Sequence, residues 1–125
     1  MKLDKDLVRQ ILLSVEASND APVGWITLEI EGRSSDELSY HVMLLAEAGF
    51  IEAQDLSTLG EFEWQPTRLT YQGHEFLDTI RDSEVWRRTK AGAEKAGVAS
   101  VGFVWELAKA YGKQVLSERL GITPA

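Results

Sequence analysis

A chain of 125 residues with 44% hydrophobic and 26% charged side chains is sized for one domain with its own core, and it carries a net charge of −7. The absence of cysteine excludes disulfides and thiolate metal sites and fits a reducing, cytoplasmic setting. No stretch approaches the ~18 apolar residues of a membrane span, and Asp4, Asp6 and Glu16 interrupt the N-terminal apolar pattern where a secretory signal would not tolerate them. A soluble protein is expected.

The charge is unevenly divided. Through Thr70, five basic residues stand against thirteen acids, leaving −8; from Tyr71 onward eight basic residues meet seven acids, leaving +1. A surface that binds nucleic acid needs clustered Lys and Arg to displace counterions, and the first part of the chain lacks them.

Taken in order, Asp4 to Ala17 places Leu7, Val8, Ile11, Leu12 and Val15 at helical spacing, with Asp4 as the capping residue. Ser18 to Gly24 contains Pro22 and Gly24 and reads as a turn. Trp25 to Ile30 alternates, with Ile26, Leu28 and Ile30 on one face, and predicts a half-buried strand. Gly32 to Ser35 turns the chain, and Ser34 or Ser35 caps a helix over Asp36 to Ala48 that buries Leu38, Val42 and Leu45, with His41 and Ala46 at the margin of that stripe. Gly49 ends it in a left-handed conformation. Phe50 to Leu56 and Phe62 to Leu69 then read as two strands joined by a tip over Ser57 to Glu61, with Pro66 turning part of the return strand into an edge. Gly32, Gly49, Gly60 and Gly73 are read as turn and cap residues.

Thr70 caps a helix carrying Phe76, Leu77 and Ile80, and Asp82-Ser83-Glu84 signals a fresh start for a segment with Trp86 that ends near Gly97. Ser100 caps a last helix in which Val101, Val104, Ala108, Tyr111 and Val115 recur at spacings of three and four. Its apolar stripe either docks on the domain's own core or pairs with a second copy.

Helix, short strand, helix and β-hairpin in this order make an α+β, winged-helix-like domain over residues 1–81, followed by a helical extension over 82–125 that packs on it or dimerises. The string YHVMLLAEAGFIEA from Tyr40 to Ala53, RLTYQGHEFLD from Arg68 to Asp78, Trp86, and the opening from Asp4 through GWITLEIEG resemble an uncharacterised bacterial and phage family, the domain of unknown function numbered twenty-five thirteen. The resemblance covers roughly residues 1 to 90. It implies a winged-helix-like fold and occurrence in prophage settings, and it brings no catalytic residues. Glu29 to Ser35 is too short for the middle helix of an ordinary winged helix, so a turn is expected there.

In a winged helix that reads DNA, the helix over Asp36 to Ala48 would enter the major groove. Its face opposite the buried stripe consists of Asp36, Tyr40, Met43 and Glu47. Base edges and phosphates are read by Arg, Lys, Asn and Gln, whereas Tyr and Met beside carboxylates suit a protein contact. The wing, with Leu59, Glu61 and Glu63 besides Asp55 and no Lys or Arg between Glu52 and Trp64, follows the same chemistry.

His74-Glu75 within GHEFLD invites comparison with the zinc-binding H-E-x-x-H helix, but Asp78 stands where the second histidine belongs, and two ligands are too few for a metal. The chain has only two histidines, so Ser34, Ser35 and Ser39 find no base partner, and no glycine spacing forms a phosphate loop. Neither enzyme, metal nor cofactor is expected. The expected function is a protein-interaction or regulatory module of phage or prophage type whose acidic surface meets a basic protein or a second copy. The alternative is a dimeric regulator that holds duplex DNA through Arg33, Arg68, Arg87, Arg88 and Lys90.

Overall fold

A computed structural model describes residues 1–18, 24–97 and 100–121. Along these run α1 (Lys5–Ala17), α2 (Ser35–Glu47), β1 (Ile51–Asp55), β2 (Trp64–Leu69), α3 (Tyr71–Ile80), α4 (Ser83–Ala96) and α5 (Val101–Leu120). The turn read around Pro22 lies outside the described residues. Each helix starts at a side-chain cap: Asp4, Ser34, Thr70, Asp82 and Ser100 accept the first free backbone N–H groups. At α2 the cap is reciprocal, because Glu37 reaches back to the Ser34 N–H while Ser34 Oγ accepts from Glu37 N. Gly49, at φ 84°, releases the chain from α2 into β1.

The fold is α+β and winged-helix-like: α1, α2 and α3 pack around one hairpin of antiparallel β1 and β2. Pairing runs Ile51 with Leu69 and Glu52 with Arg68, then jumps to Ala53 with Pro66, so Thr67 is an extra residue on β2. Its Oγ1 is a buried side-chain atom with no hydrogen-bond partner among the described residues. At the tip, Thr58 and Glu61 bridge each other, with Gly60 at φ 94° in the third turn position.

Trp25 to Ile30 corrects one expectation. The segment is extended and keeps its alternation, with Leu28 buried and Trp25 exposed, yet it forms no strand. It lies against β2, where the Ile26 N–H donates to Pro66 O at 2.7 Å. A regular third strand would take a hydrogen bond back from residue 66, and proline has no N–H to give. Beyond it the next contact is to a side chain rather than to the β2 backbone, Gln65 Oε1 accepting from Leu28 N at 3.0 Å. The expected middle turn is present at Gly32, where Arg33 N donates to Ile30 O.

Gly73 corrects another. It is neither turn nor cap but the third residue of α3, packed so closely on the end of α2 that a Cβ built there would lie 1.9 Å from Phe50 O. Thr70 reinforces the contact, its N–H donating to Phe50 O at 3.0 Å and its Oγ1 to Gly49 O at 2.6 Å.

The core joins residues of every helix. Leu7, Ile11, Leu12, Val42, Leu45, Phe50, Phe76, Leu77 and Ile80 form one cluster with Trp86, Ala93, Val101, Val104 and Ala108. Trp105 of α5 closes an aromatic group, with ring centroids 5.2 Å from Phe76 and 6.2 Å from Phe50. α4 and α5 therefore share the core of the first three helices. Polar ties hold the same contact from outside: Trp86 Nε1 and Lys90 Nζ both donate to Asp6 of α1, and Arg119 of α5 pairs with the α4 cap Asp82.

Candidate functional surface

The α2 surface starts from what the helix buries. Leu38, Val42 and Leu45 face the core as expected, but so do Ser39 and His41. Ser39 Oγ accepts from Trp64 N at 3.0 Å, fastening α2 to the wing strand. His41 is 1% exposed rather than marginal. The Asp4 N–H can only donate, so His41 Nε2 accepts it at 2.8 Å and the ring proton sits on Nδ1, 2.8 Å from Glu37 O. Histidine thus serves as a latch between the start of α1 and the middle of α2. Beside it, Asp4 is bound by Arg33 at 2.6 Å, and Arg33 also meets Glu37 at 3.1 Å. Burial pushes the Asp4 carboxyl up, but hydrogen bonds from Arg33 and Leu7 N–H outweigh it and leave the group below its ordinary value.

Opposite this buried side, Asp36 and Glu47 are exposed, while Tyr40 and Met43 are half-buried. The stripe is about 16 Å long at 1.5 Å per residue, and its two ends open into different concavities. Tyr40 and Glu47 border a cleft of about 490 Å³ whose far side is the first turn of α5, at Ser100, Val101 and Gly102. Asp36 instead borders a cleft of about 640 Å³ shared with the wing, where Thr58, Glu61 and Phe62 form the opposite wall. The tertiary structure therefore groups Asp36 with Glu61, and Tyr40 with α5.

Of the wing positions, Leu59 is fully exposed at 107% and Glu61 is exposed, whereas Glu63 is half-buried and accepts from Gln65 Nε2 at 3.1 Å. Asp55 is exposed as well, and its carboxyl is held below the usual range by the hydroxyl and N–H of Ser57. Phe62, 39% exposed beside Glu61, belongs to this surface and lies outside β2, which begins only at Trp64. An aromatic immediately after a glycine turn was the available signal.

The cations named for phosphate contact all have carboxylate partners. Arg33 holds Asp4 and Glu37; Arg68 meets both oxygens of Glu52; Arg87 and Arg88 share Glu84, with Arg88 reaching Glu118; Lys90 pairs with Asp6 and lies 5.7 Å from the Trp86 ring centroid. They sit in three places: the α1–α2 junction, the base of the wing and α4. His74 is exposed, and Asp78 is bound to Arg81. Among the described residues, no group of three or more His, Asp and Glu side chains is gathered to hold a metal, and no helix is long and apolar enough to cross a membrane.

The profile of the family described as "Hypothetical protein (DUF2513)" matches residues 2–99. The chain belongs to this family. The DUF2513 match spans α1 through α4 and stops just before α5 begins at Val101. An uncharacterised protein of Haemophilus influenzae is 43% identical over 90 residues, covering 72% of this chain and 76% of that one. No solved structure matches the chain. The glycine of the string LTYQGHEFL, part of the resemblance to DUF2513, is the residue that lets α3 touch Phe50.

Proposed function

We propose that this DUF2513 protein is a non-enzymatic interaction or regulatory module, acting in the cytoplasm in a phage or prophage setting, that binds a basic protein partner through its acidic winged-helix surface. The observation that carries this reading is the pairing of all five candidate phosphate contacts with carboxylates, while Asp36, Glu47, Asp55 and Glu61 remain exposed around α2 and the wing. Exposed ion pairs are individually weak, on the order of 0–1 kcal/mol, so a phosphate could displace any one of them. What opposes DNA is the summed field: Arg33 and Arg68 lie in a region of net charge −8 and the whole chain carries −7, so each cation given to a phosphate leaves its carboxylate partner uncompensated in an already negative molecule.

Fluorescence anisotropy with mixed-sequence duplex DNA at about 50 mM salt is expected to show no association; tight, salt-steep binding would reverse the reading in favour of the DNA regulator. In the complementary experiment, immobilised chain is compared with the Asp36→Lys, Glu47→Lys, Glu61→Lys triple variant for capture of protein partners. Retention of the same partners by the reversed surface is the unfavourable result.

A further inference from the structure

The extended segment from Trp25 to Ile30 covers one side of β2 and leaves its own outer side open. Its Ile26 and Leu28 N–H groups both point at β2, donating to Pro66 O at 2.7 Å and to Gln65 Oε1 at 3.0 Å. Successive residues of an extended chain turn their backbone groups to opposite sides, so the N–H and C=O groups of Trp25, Thr27 and Glu29 point away from β2. Among the described residues, none of these outward groups has a hydrogen-bond partner. All three residues are exposed, Trp25 at 53%. An exposed row of unpaired backbone groups is a template for one more strand. The side chains restrict what that strand can carry. Glu29 and Glu31 are exposed and meet no cation among the described residues, unlike Asp4, Glu37 and Glu52. Two free carboxylates on a chain of net charge −7 repel a second copy and attract Lys or Arg, and the open face of Trp25 offers a cation a further contact. On the core side of the same segment Ile26 and Ile30 are only half-buried, so a neighbouring apolar side chain would cover them.

We propose that the outer edge of Trp25 to Ile30 binds an extended segment of a partner protein by adding it as an antiparallel strand, in which Lys or Arg alternates with apolar residues. The basic residues stand directly opposite Trp25, Thr27 and Glu29 on the solvent face, and the apolar ones lie beside Ile26 and Ile30. Residues directly opposite each other here exchange their backbone hydrogen bonds, so the N–H groups of the basic residues meet the edge and those of the apolar residues point away from it. Backbone pairing supplies the affinity, and the alternation of charge supplies the selection. None of these edge residues borders the clefts of Asp36, Tyr40 and Glu47, so the edge is a site besides the acidic surface of α2 and the wing.

The probe is a short fluorescein-labelled peptide alternating lysine with valine, titrated with the full chain at about 150 mM salt, where charges are screened beyond about 8 Å. Fluorescence anisotropy is expected to show binding, and the Thr27 and Glu29 amides to exchange at least about tenfold more slowly in the complex. Methylating the lysine backbone nitrogens weakens binding at least about tenfold, whereas methylating the valine nitrogens, at the same charge and composition, leaves it unchanged. A peptide alternating glutamate with valine does not bind. Thr27→Pro also blocks the edge: it removes an N–H that bonds to nothing among the described residues, and it follows Ile26, whose extended backbone suits the position before proline, so the circular dichroism is unchanged. The Asp36→Lys, Glu47→Lys, Glu61→Lys variant retains the peptide. No binding up to about 1 mM, or equal binding of the two methylated peptides, overturns the proposal. Loss of the peptide by the triple Lys variant does so too, since it assigns the peptide to the acidic surface; if the peptide fails while the chain captures partners that this variant loses, the edge alone is wrong and the acidic-surface reading stands.

Discussion

Replacing Gly73 with alanine tests how closely α3 lies on Phe50. The new Cβ would lie 1.9 Å from Phe50 O and 2.9 Å from Phe50 C. Carbon and oxygen normally approach to about 3.3 Å, so the start of α3 and the end of α2 must separate by about 1.4 Å. That movement takes Thr70 N–H and Thr70 Oγ1, now 3.0 and 2.6 Å from Phe50 O and Gly49 O, out of hydrogen-bonding range. Each lost bond costs about 1 kcal/mol. Strain from the added methyl costs about 1–3 kcal/mol more, and the helix preference of alanine over glycine returns about 1 kcal/mol. The net expectation is a loss of about 2–4 kcal/mol, read from urea denaturation, and a melting temperature lower by roughly 4 °C per kcal/mol for a chain of this size. Gly102→Ala supplies the control: it too is helical, nothing lies within 4 Å of its added Cβ, and it should be neutral or stabilising by up to about 1 kcal/mol. If Gly73→Ala is as stable as the parent, the contact with Phe50 is not as close as described and the packing argument fails.

His41→Leu keeps the volume but leaves the Asp4 N–H without its acceptor, so a loss of about 1–3 kcal/mol is expected in the same urea assay, with less for His41→Gln; a leucine variant at parental stability would contradict the latch. Trp105→Ala removes the α5 ring from Phe50 and Phe76 and should cost about 3 kcal/mol, with faster amide exchange along α5 than in α1; uniform exchange would show that α5 is not held there. The carboxyls of Asp82 and Glu84 are pulled from ordinary values of 3.8 and 4.5 to about 2, Asp82 chiefly by the hydrogen bond from Arg119 and Glu84 by those from Arg87 and Arg88. Their folded values lie below the unfolded ones, so these pairs stabilise the fold fully above about pH 5 and lose that contribution as pH falls toward 2. Asp82→Asn with Glu84→Gln retains a competent helix cap, and should flatten the dependence of urea stability on pH between about 5 and 3. An unchanged slope would assign acid sensitivity to other carboxylates.

What was legible in the sequence shares a short range. Asp4, Ser34, Thr70, Asp82 and Ser100 each cap a helix by bonding to backbone two or three residues ahead, and Gly49 and Gly97 end α2 and α4 by local backbone geometry. The apolar spacing of α1 named its buried residues because one face of a helix is set by periodicity. Those features sufficed for a winged-helix-like order of elements, and the acidity of α2 and the wing followed from composition. Other matters depended on residues far apart in the chain. Pro66 prevented Trp25 to Ile30 from pairing as a strand, His41 became a core latch because α1 brought the Asp4 N–H to it, and the space that a side chain at residue 73 would need was taken only once α3 lay on Phe50. Asp36, Tyr40, Met43 and Glu47 share one helix face by periodicity, but the wing draws Asp36 into one cleft and α5 draws Tyr40 and Glu47 into another. Likewise, the sequence does not say which acids Arg33, Arg68, Arg88 and Lys90 meet across the fold, because their partners at Asp4, Glu52, Glu118 and Asp6 lie 16 to 84 positions away. Capping and amphipathic patterning are decided within a few residues of backbone; which charges are neutralised, and which surfaces adjoin, is decided only when distant segments share the same core.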